Sequence, residues 1–152
     1  MSGREPGGIL VVKADAPWQS MSDLIDATKE DPGAFGLTPN TGATTYLVGA
    51  LLNNTGAGFN FVDVGGSADR LAAVLGGNVD VSQNPLGQVK PYFDNRELRG
   101  LGSLSEARTA ALPDAPTIAE QGYDVAFQYS YFYLFPKGTA QEVGDQVFDP
   151  TA

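Results

Sequence analysis

A chain of 152 residues, 42% of them hydrophobic, has the size of one folded domain with enough apolar surface for a core. Its 9 basic and 18 acidic residues give a net charge of −9, which disfavours nucleic acid as a partner. Cysteine and histidine are both absent, which excludes disulfides, zinc sites built on these residues, and Ser/His/Asp or Cys/His catalytic groups. Because neither a long apolar run nor a signal-peptide pattern occurs, we expect no membrane span and no signal peptide in this chain.

The apolar residues alternate between short strand-like runs and helical periodicity, a pattern that predicts an α/β fold. An apolar run at 9–13 predicts a buried strand, and Ser20 is placed to cap a helix that Pro32 and Gly33 end. Further strands are predicted at 35–37, 59–64, 79–82 and 98–104. The second helix is predicted to end near Asn54, and the third to run from Gly65-Gly66-Ser67 to Gly76. A fourth helix is predicted from an Asn84-Pro85 cap to about Phe93, and a short one from Thr117 to Gln121.

The second and third helices are each expected to bury one apolar face. On the second helix the expected face is Leu47, Ala50 and Leu51, and on the third it is Ala68, Leu71, Ala72 and Leu75. Asp69 and Arg70 are placed on the exterior of the third helix. The three acidic residues Asp63, Asp69 and Asp80 lack the spacing of an acid/base pair or a metal site, so we expect no metal.

Polar turns follow three of the predicted strands. The turn at 38–45 combines four threonines, an asparagine and a glycine before a helix, where free backbone N–H groups and the helix dipole favour an anion. It lacks the lysine and the glycine spacing of nucleotide-binding loops, so a carboxylate suits it better. The turns at Gly65-Gly66-Ser67 and at Asn84 should share its sheet edge. The alternative is that all three are ordinary caps and turns, with Thr41 capping the second helix.

Aromatic residues alternate near the end of the chain. Phe127, Tyr129, Tyr131, Tyr133 and Phe135 would share one face of a strand. This face is either part of the core or a cleft and partner surface.

Six segments, in order along the chain, carry a resemblance to a known family: ILVVKADAPWQSMSDLIDATKEDPG, GLTPNTGATTYLVGALL, LGGNVDVSQNP with NRELRGLG, LPDAPTIAEQGYDVAF, and FPKGT. Together they resemble the tripartite tricarboxylate transporter receptors, the TctC or Bug family of extracytoplasmic solute-binding proteins. The resemblance runs from about Leu10 to Val147.

The resemblance implies a type II periplasmic-binding-protein fold, in which two α/β lobes close on a small carboxylate. This sequence resembles the second lobe, which we place at 9–148, with a mainly parallel sheet of about five strands flanked by helices. Residues 1–8 are then a tail or an artificial remnant and 149–152 a tail, and the first lobe and the returning C-terminal segment are expected to be missing.

Site residues follow from the same resemblance. The loop Asn40-Thr41-Gly42-Ala43-Thr44-Thr45 is implied to hold a ligand carboxylate, with Asn84 as a further cleft position. Gly65 is a candidate because its turn should share the same sheet edge. The sequence departs from the family pattern at Tyr46, where histidine is common, at Val64-Gly65, and at Ser130-Tyr131-Phe132. These departures leave the identity of the ligand open.

The resemblance implies a binding protein, with no reaction and no cofactor, that works outside the cytoplasm with membrane permease subunits. One alternative is the effector-binding domain of a transcriptional regulator, and another is an enzyme of small carboxylic acids. Without its first lobe the chain should expose part of its aromatic strand. We therefore expect weak self-association through Tyr129 to Phe135.

Overall fold

The computed structural model describes residues 3–6, 8–108, 113, 115–131, 134–140 and 142–143. The strands are β1 (Gly3–Pro6), β2 (Ile9–Lys13), β3 (Gly36–Thr38), β4 (Asn60–Phe61), β5 (Val81–Asn84), β6 (Leu98–Ser103) and β7 (Gln128–Tyr131). The helices are α1 (Met21–Glu30), α2 (Thr44–Asn54), α3 (Ser67–Leu75) and α4 (Leu86–Asp94), followed by a 3₁₀ turn at Ala119–Gln121. None of the helices in the described ranges is long and apolar enough to cross a membrane.

The main sheet has five strands in the order β4-β3-β5-β2-β6. Strands β3, β4 and β5 are parallel, whereas β2 runs antiparallel to both of its neighbours, β5 and β6. Strand β6 therefore points in the same direction as β3, β4 and β5. This arrangement confirms the predicted α/β fold with a mainly parallel sheet of about five strands.

Strand β2, which lies between β5 and the edge strand β6, is buried on both faces, which explains its continuous apolar run. Its residues Leu10 and Val12 belong to one core cluster, which includes Leu24 and Ile25 of α1. Ile9 and Val11 belong to a second cluster on the other face, formed mainly with α3, α4 and the neighbouring strands. The sheet is thus covered by helices on both sides.

A second, two-stranded sheet pairs β1 with β7 in antiparallel register, from Gly3 opposite Tyr131 to Pro6 opposite Gln128. Residues 1–8 were expected to form a tail, but residues 3–6 are a strand. Nothing local marks this strand, because its partner lies at the other end of the chain. Of the predicted aromatic strand, Tyr133 lies outside the described residues, as do residues 149–152.

The buried face of α2 differs from the predicted one. Leu47 is 50% exposed, and Ala50 and Leu51 are partly buried. The helix is apolar on most of its circumference, so its periodicity gives little contrast between faces. The buried residues are Thr45, Val48, Gly49 and Leu52.

The predicted face of α3 is also wrong in part. Ala68 and Ala72 are exposed, whereas Arg70, which we expected on the exterior, is only 6% exposed. Its guanidinium finds main-chain carbonyl partners inside the protein, which a periodicity argument cannot detect. The buried residues are Arg70, Leu71, Ala73 and Val74.

Candidate functional site

The carboxyl ends of β3, β4 and β5 lie at one edge of the main sheet, because these strands are parallel. We call the residues there, 40–45, 63–67 and 84, the polar edge. The amide N–H of Thr41 donates to Oδ2 of Asp63 at 2.9 Å, and Nδ2 of Asn84 donates to the carbonyl of Ser67 at 2.8 Å. The structure therefore brings the three predicted turns together.

The first turn of the polar edge leads into α2. Residues 41–44 are exposed, and Gly42 has a φ of +81°, which favours glycine. Thr41 does not cap the helix, as the alternative interpretation required: Ala43 is the N-cap, and no side chain caps this end. The positive end of the α2 dipole therefore lies among the exposed residues 41–44.

Thr45 has a structural role within this turn. Its side chain is buried, and its Oγ1 accepts a hydrogen bond from the amide of Asn40 at 2.9 Å. Thr38, the last residue of β3, is fully buried, and its Oγ1 has no partner in the described part of the chain. A buried hydroxyl without a partner lowers the stability of the folded state, so the Thr38 hydroxyl is expected to be destabilising.

The second turn centres on Asp63, which links it to the first. Oδ2 of Asp63 accepts from the amide of Thr41, and Oδ1 accepts from the amide of Gly65 at 3.1 Å. Hydrogen bonds from the Thr41 side chain, then from the Thr41 and Gly65 amides, hold the pKa of Asp63 below its ordinary value, with a contribution from the charge of Arg70. The sequence does not indicate the link from Asp63 to Thr41, although an aspartate two residues before a glycine is a turn signal.

Arg70 fixes the second turn to β5. Its Nη1 donates to the carbonyl of Gly65 at 3.3 Å, and its Nε donates to the carbonyl of Gln83 at 3.1 Å. The amide of Gly66 donates to Oδ2 of Asp69 at 3.0 Å, which supports the start of α3. Gly65 itself has a φ of +102°.

Asn84 is the last residue of β5 and is buried. Its Nδ2 donates to the carbonyl of Ser67 and to Oε1 of Gln88, and its Oδ1 accepts from Oγ of Ser82. Both N–H groups of the amide are therefore used within the protein. The predicted cap role is wrong, because Pro85 is the N-cap of α4 and has no side-chain cap bond.

A cavity of about 560 Å³ lies at the opposite edge of the sheet, where β2 ends and β6 begins. Phe93, Arg96, Arg99, Ala115 and Pro116 contribute to its lining. The guanidinium of Arg99 is engaged by the carbonyls of Ala14, Ala16 and Trp18, which gives it a structural role. Across the described ranges, no three acidic side chains are grouped so that they could hold a metal ion.

Comparison with known proteins decides the family. Residues 4–151 match the model of the tripartite tricarboxylate transporter family receptor, TctC. The chain belongs to the TctC family. This confirms the resemblance seen in the sequence and extends it at both ends.

Individual TctC relatives are similar over nearly all of this chain. A protein from the gbd 5′ region of Cupriavidus necator is 31% identical over 144 residues, which cover 92% of this chain and 43% of that protein. A Rhodopseudomonas palustris protein solved with adipate is 29% identical, with a TM-score of 0.80, and the match covers 95% of this chain and 49% of that one. A TctC solute-binding protein from Polaromonas is 26% identical, with a TM-score of 0.79 and coverages of 93% and 49%. The chain thus spans about half the length of these relatives.

Proposed function

We propose that the protein to which this chain belongs is a solute-binding receptor that captures a small organic carboxylate, and that the polar edge forms one side of the binding cleft. The observation that carries the proposal is the shared position of three polar turns beside the uncapped N-terminus of α2. Membership of the TctC family and the adipate in the R. palustris relative support a carboxylate as the ligand class.

Binding in this proposal uses hydrogen bonds alone. The carboxylate oxygens accept from hydroxyls of the loop Asn40–Thr45 and from the amide of Gly42, where the α2 dipole adds favourable charge. The amides of Asn40, Thr41 and Ala43 already donate within the protein. Gly65 keeps the second turn close to this loop through Asp63. Asn84, whose N–H groups are used internally, holds the Ser67 end of α3 in place and offers the ligand no free N–H.

The length of the relatives indicates what else the receptor contains. Because this chain spans about half of their length, we propose that a companion lobe supplies the facing side of the cleft. Permease subunits in a membrane and a location outside the cytoplasm belong to the same proposal. The family consists of binding receptors, and no observation favours the enzyme or the transcriptional regulator.

The test uses the intact receptor and a panel of mono-, di- and tricarboxylates. A ligand at 100 times its dissociation constant should raise the free energy of unfolding by about 2.7 kcal/mol. Gly42→Val should abolish this gain, because the side chain would cover the amides of the loop. The matched control is Gly77→Val: Gly77 has a φ of +71° and equally open surroundings but lies at the end of α3, away from the polar edge.

The two variants separate backbone strain from ligand contact. Both place a β-branched residue at positive φ, so both should destabilise the unliganded protein to a similar extent. The proposal is contradicted if the intact receptor ignores every carboxylate of the panel, or if Gly42→Val responds like the parent.

A further inference from the structure

The polar edge already holds a carboxylate of its own. Both oxygens of Asp63 are hydrogen-bonded to main-chain amides, Oδ2 to Thr41 at 2.9 Å and Oδ1 to Gly65 at 3.1 Å. The side chain of Thr41 also helps to lower the pKa of this carboxyl. Asp63 is nevertheless exposed, so its charge faces whatever approaches this edge.

These donors belong to two of the three turns that the proposed function assigns to the ligand. A ligand carboxylate cannot bond to the Thr41 and Gly65 amides without displacing Asp63. Displacement is unfavourable, because the side chain is held at both oxygens and is already ordered. A ligand must therefore bind beside the Asp63 carboxylate.

The groups around Asp63 do not neutralise its negative charge fully. Arg70 is the cation that acts on Asp63, but its guanidinium is buried and donates to the carbonyls of Gly65 and Gln83. A second carboxylate, that of Asp69, accepts from the amide of Gly66 in the same turn. The polar edge thus has amides that could bind a ligand carboxylate, and the negative charges of Asp63 and Asp69 lie beside these amides.

We infer that Asp63 is a specificity-determining residue that makes the receptor prefer a ligand with one carboxylate and a neutral or positively charged group over a dicarboxylate. The inference rests on the proposed function. Carboxylate oxygens together have about four lone-pair sites, so an ammonium or amide N–H can still bond to Asp63. A second carboxylate at the same place would be repelled.

Three probes of matched length test this preference: adipate, pentanoate and 5-aminopentanoate. In each probe four saturated carbons follow one carboxylate group. The fourth carbon carries a second carboxylate in adipate, a hydrogen in pentanoate and an ammonium group in 5-aminopentanoate. Binding to the intact receptor is followed by the amide signals of Thr41, Gly42 and Gly65 in two-dimensional NMR, which detects millimolar affinities. An unscreened charge contact at the surface corresponds to about a fivefold change in affinity.

We expect the parent to bind 5-aminopentanoate about fivefold more tightly than pentanoate and about 25-fold more tightly than adipate, because the ammonium gains one such contact and the second carboxylate is repelled by another. Asp63→Asn should remove this difference or reverse it. The matched control Asp69→Asn removes one negative charge from the same turn without touching Thr41, and it should keep the order of the parent. Asp63→Ser gives a second reading if the asparagine variant does not fold.

The outcomes distinguish a failure of the role of Asp63 from a failure of the ligand site at the polar edge. The inference is overturned if adipate binds the parent as tightly as 5-aminopentanoate, if the Asp63 variants keep the parent's preference, or if Asp69→Asn erases it equally. If no probe moves the three amide signals in the parent or in the Asp63 variants, the assignment of the ligand to this edge fails, and the role of Asp63 fails with it.

Discussion

The buried guanidinium of Arg70 donates to the carbonyl oxygen of Gln83 at 3.1 Å and so joins α3 to β5. The same side chain reaches the carbonyl of Gly65. One arginine therefore connects a helix, a strand and a turn of the polar edge. Its removal leaves buried acceptors unpaired, which is costlier than the loss of an exposed charge.

Arg70→Met should lower the free energy of unfolding by about 1–3 kcal/mol, since at least one buried carbonyl loses its donor. Urea denaturation measures the change. Arg96→Met removes an exposed guanidinium and should cost less than about 0.5 kcal/mol. Equal losses in the two variants would show that the hydrogen bonds of Arg70 contribute little.

Thr38→Val should leave the stability unchanged or raise it by about 1 kcal/mol, because it replaces a buried hydroxyl without a partner by a methyl group of similar size. Thermal unfolding of parent and variant provides the comparison. Thr45→Val is the contrasting change, since Oγ1 of Thr45 accepts from the Asn40 amide, and it should destabilise. A marked loss of stability in Thr38→Val would mean that its hydroxyl is satisfied in solution.

Two glycines inside helices should respond to alanine with opposite signs. A Cβ on Gly49 would stand 3.0 Å from the Phe61 ring and 3.2 Å from Leu37, so Gly49→Ala should destabilise by about 1–3 kcal/mol. A Cβ on Gly87 of α4 meets nothing within 4 Å, so Gly87→Ala should stabilise by up to about 1 kcal/mol. Denaturant midpoints measure both, and a neutral Gly49→Ala would show that Phe61 yields easily.

The depressed pKa of Asp63 predicts a loss of stability in acid. A carboxyl group with a lower pKa in the folded state contributes stability above its ordinary value of 3.8, and this contribution disappears as the pH falls through the folded value. Asp63→Asn should therefore unfold with a shallower dependence on pH below 3.8. The difference should persist in high salt, because hydrogen bonds are its main cause. Parallel pH profiles of parent and variant would contradict it.

Self-association remains a prediction for the segment that follows β7. Leu134 is 92% exposed and Phe135 40%, which leaves apolar surface beside the β1–β7 sheet. Sedimentation over a range of concentrations should show a weak dimer that Leu134→Ser with Phe135→Ser abolishes. Leu47→Ser, which removes an exposed leucine from α2, is the control. A strictly monomeric parent would exclude this surface as an interface.

Local signals sufficed to predict some elements closely. The limits of β2 match because its apolar run is short and bounded, and α1 begins after Ser20, whose Oγ accepts from the amide of Asp23 in a capping box. The gathering of the three turns followed from strand and helix alternation alone, since parallel strands end at one edge.

What the sequence did not show depends on distant partners. The burial of Arg70 needs the carbonyl of Gln83 on another element, and the strand at residues 3–6 needs residues 128–131. The link from Asp63 to Thr41 likewise joins turns that are separate in sequence. Such contacts exist only after the chain has folded, so neither periodicity nor capping rules predict them.

The position of β2 has a consequence for the order of folding. Ile9 lies near the start of the chain, yet it pairs with Asn84 on one side and Ser103 on the other. A growing chain therefore holds an apolar segment that finds no pairing partner in the main sheet until β5 and β6 have been made. Non-local pairing of this kind slows folding, to roughly milliseconds to seconds in small domains. During synthesis on the ribosome, residues 9–13 can pack against α1 but have unpaired strand edges until β5 and β6 emerge, and unpaired edges of this kind are prone to aggregate.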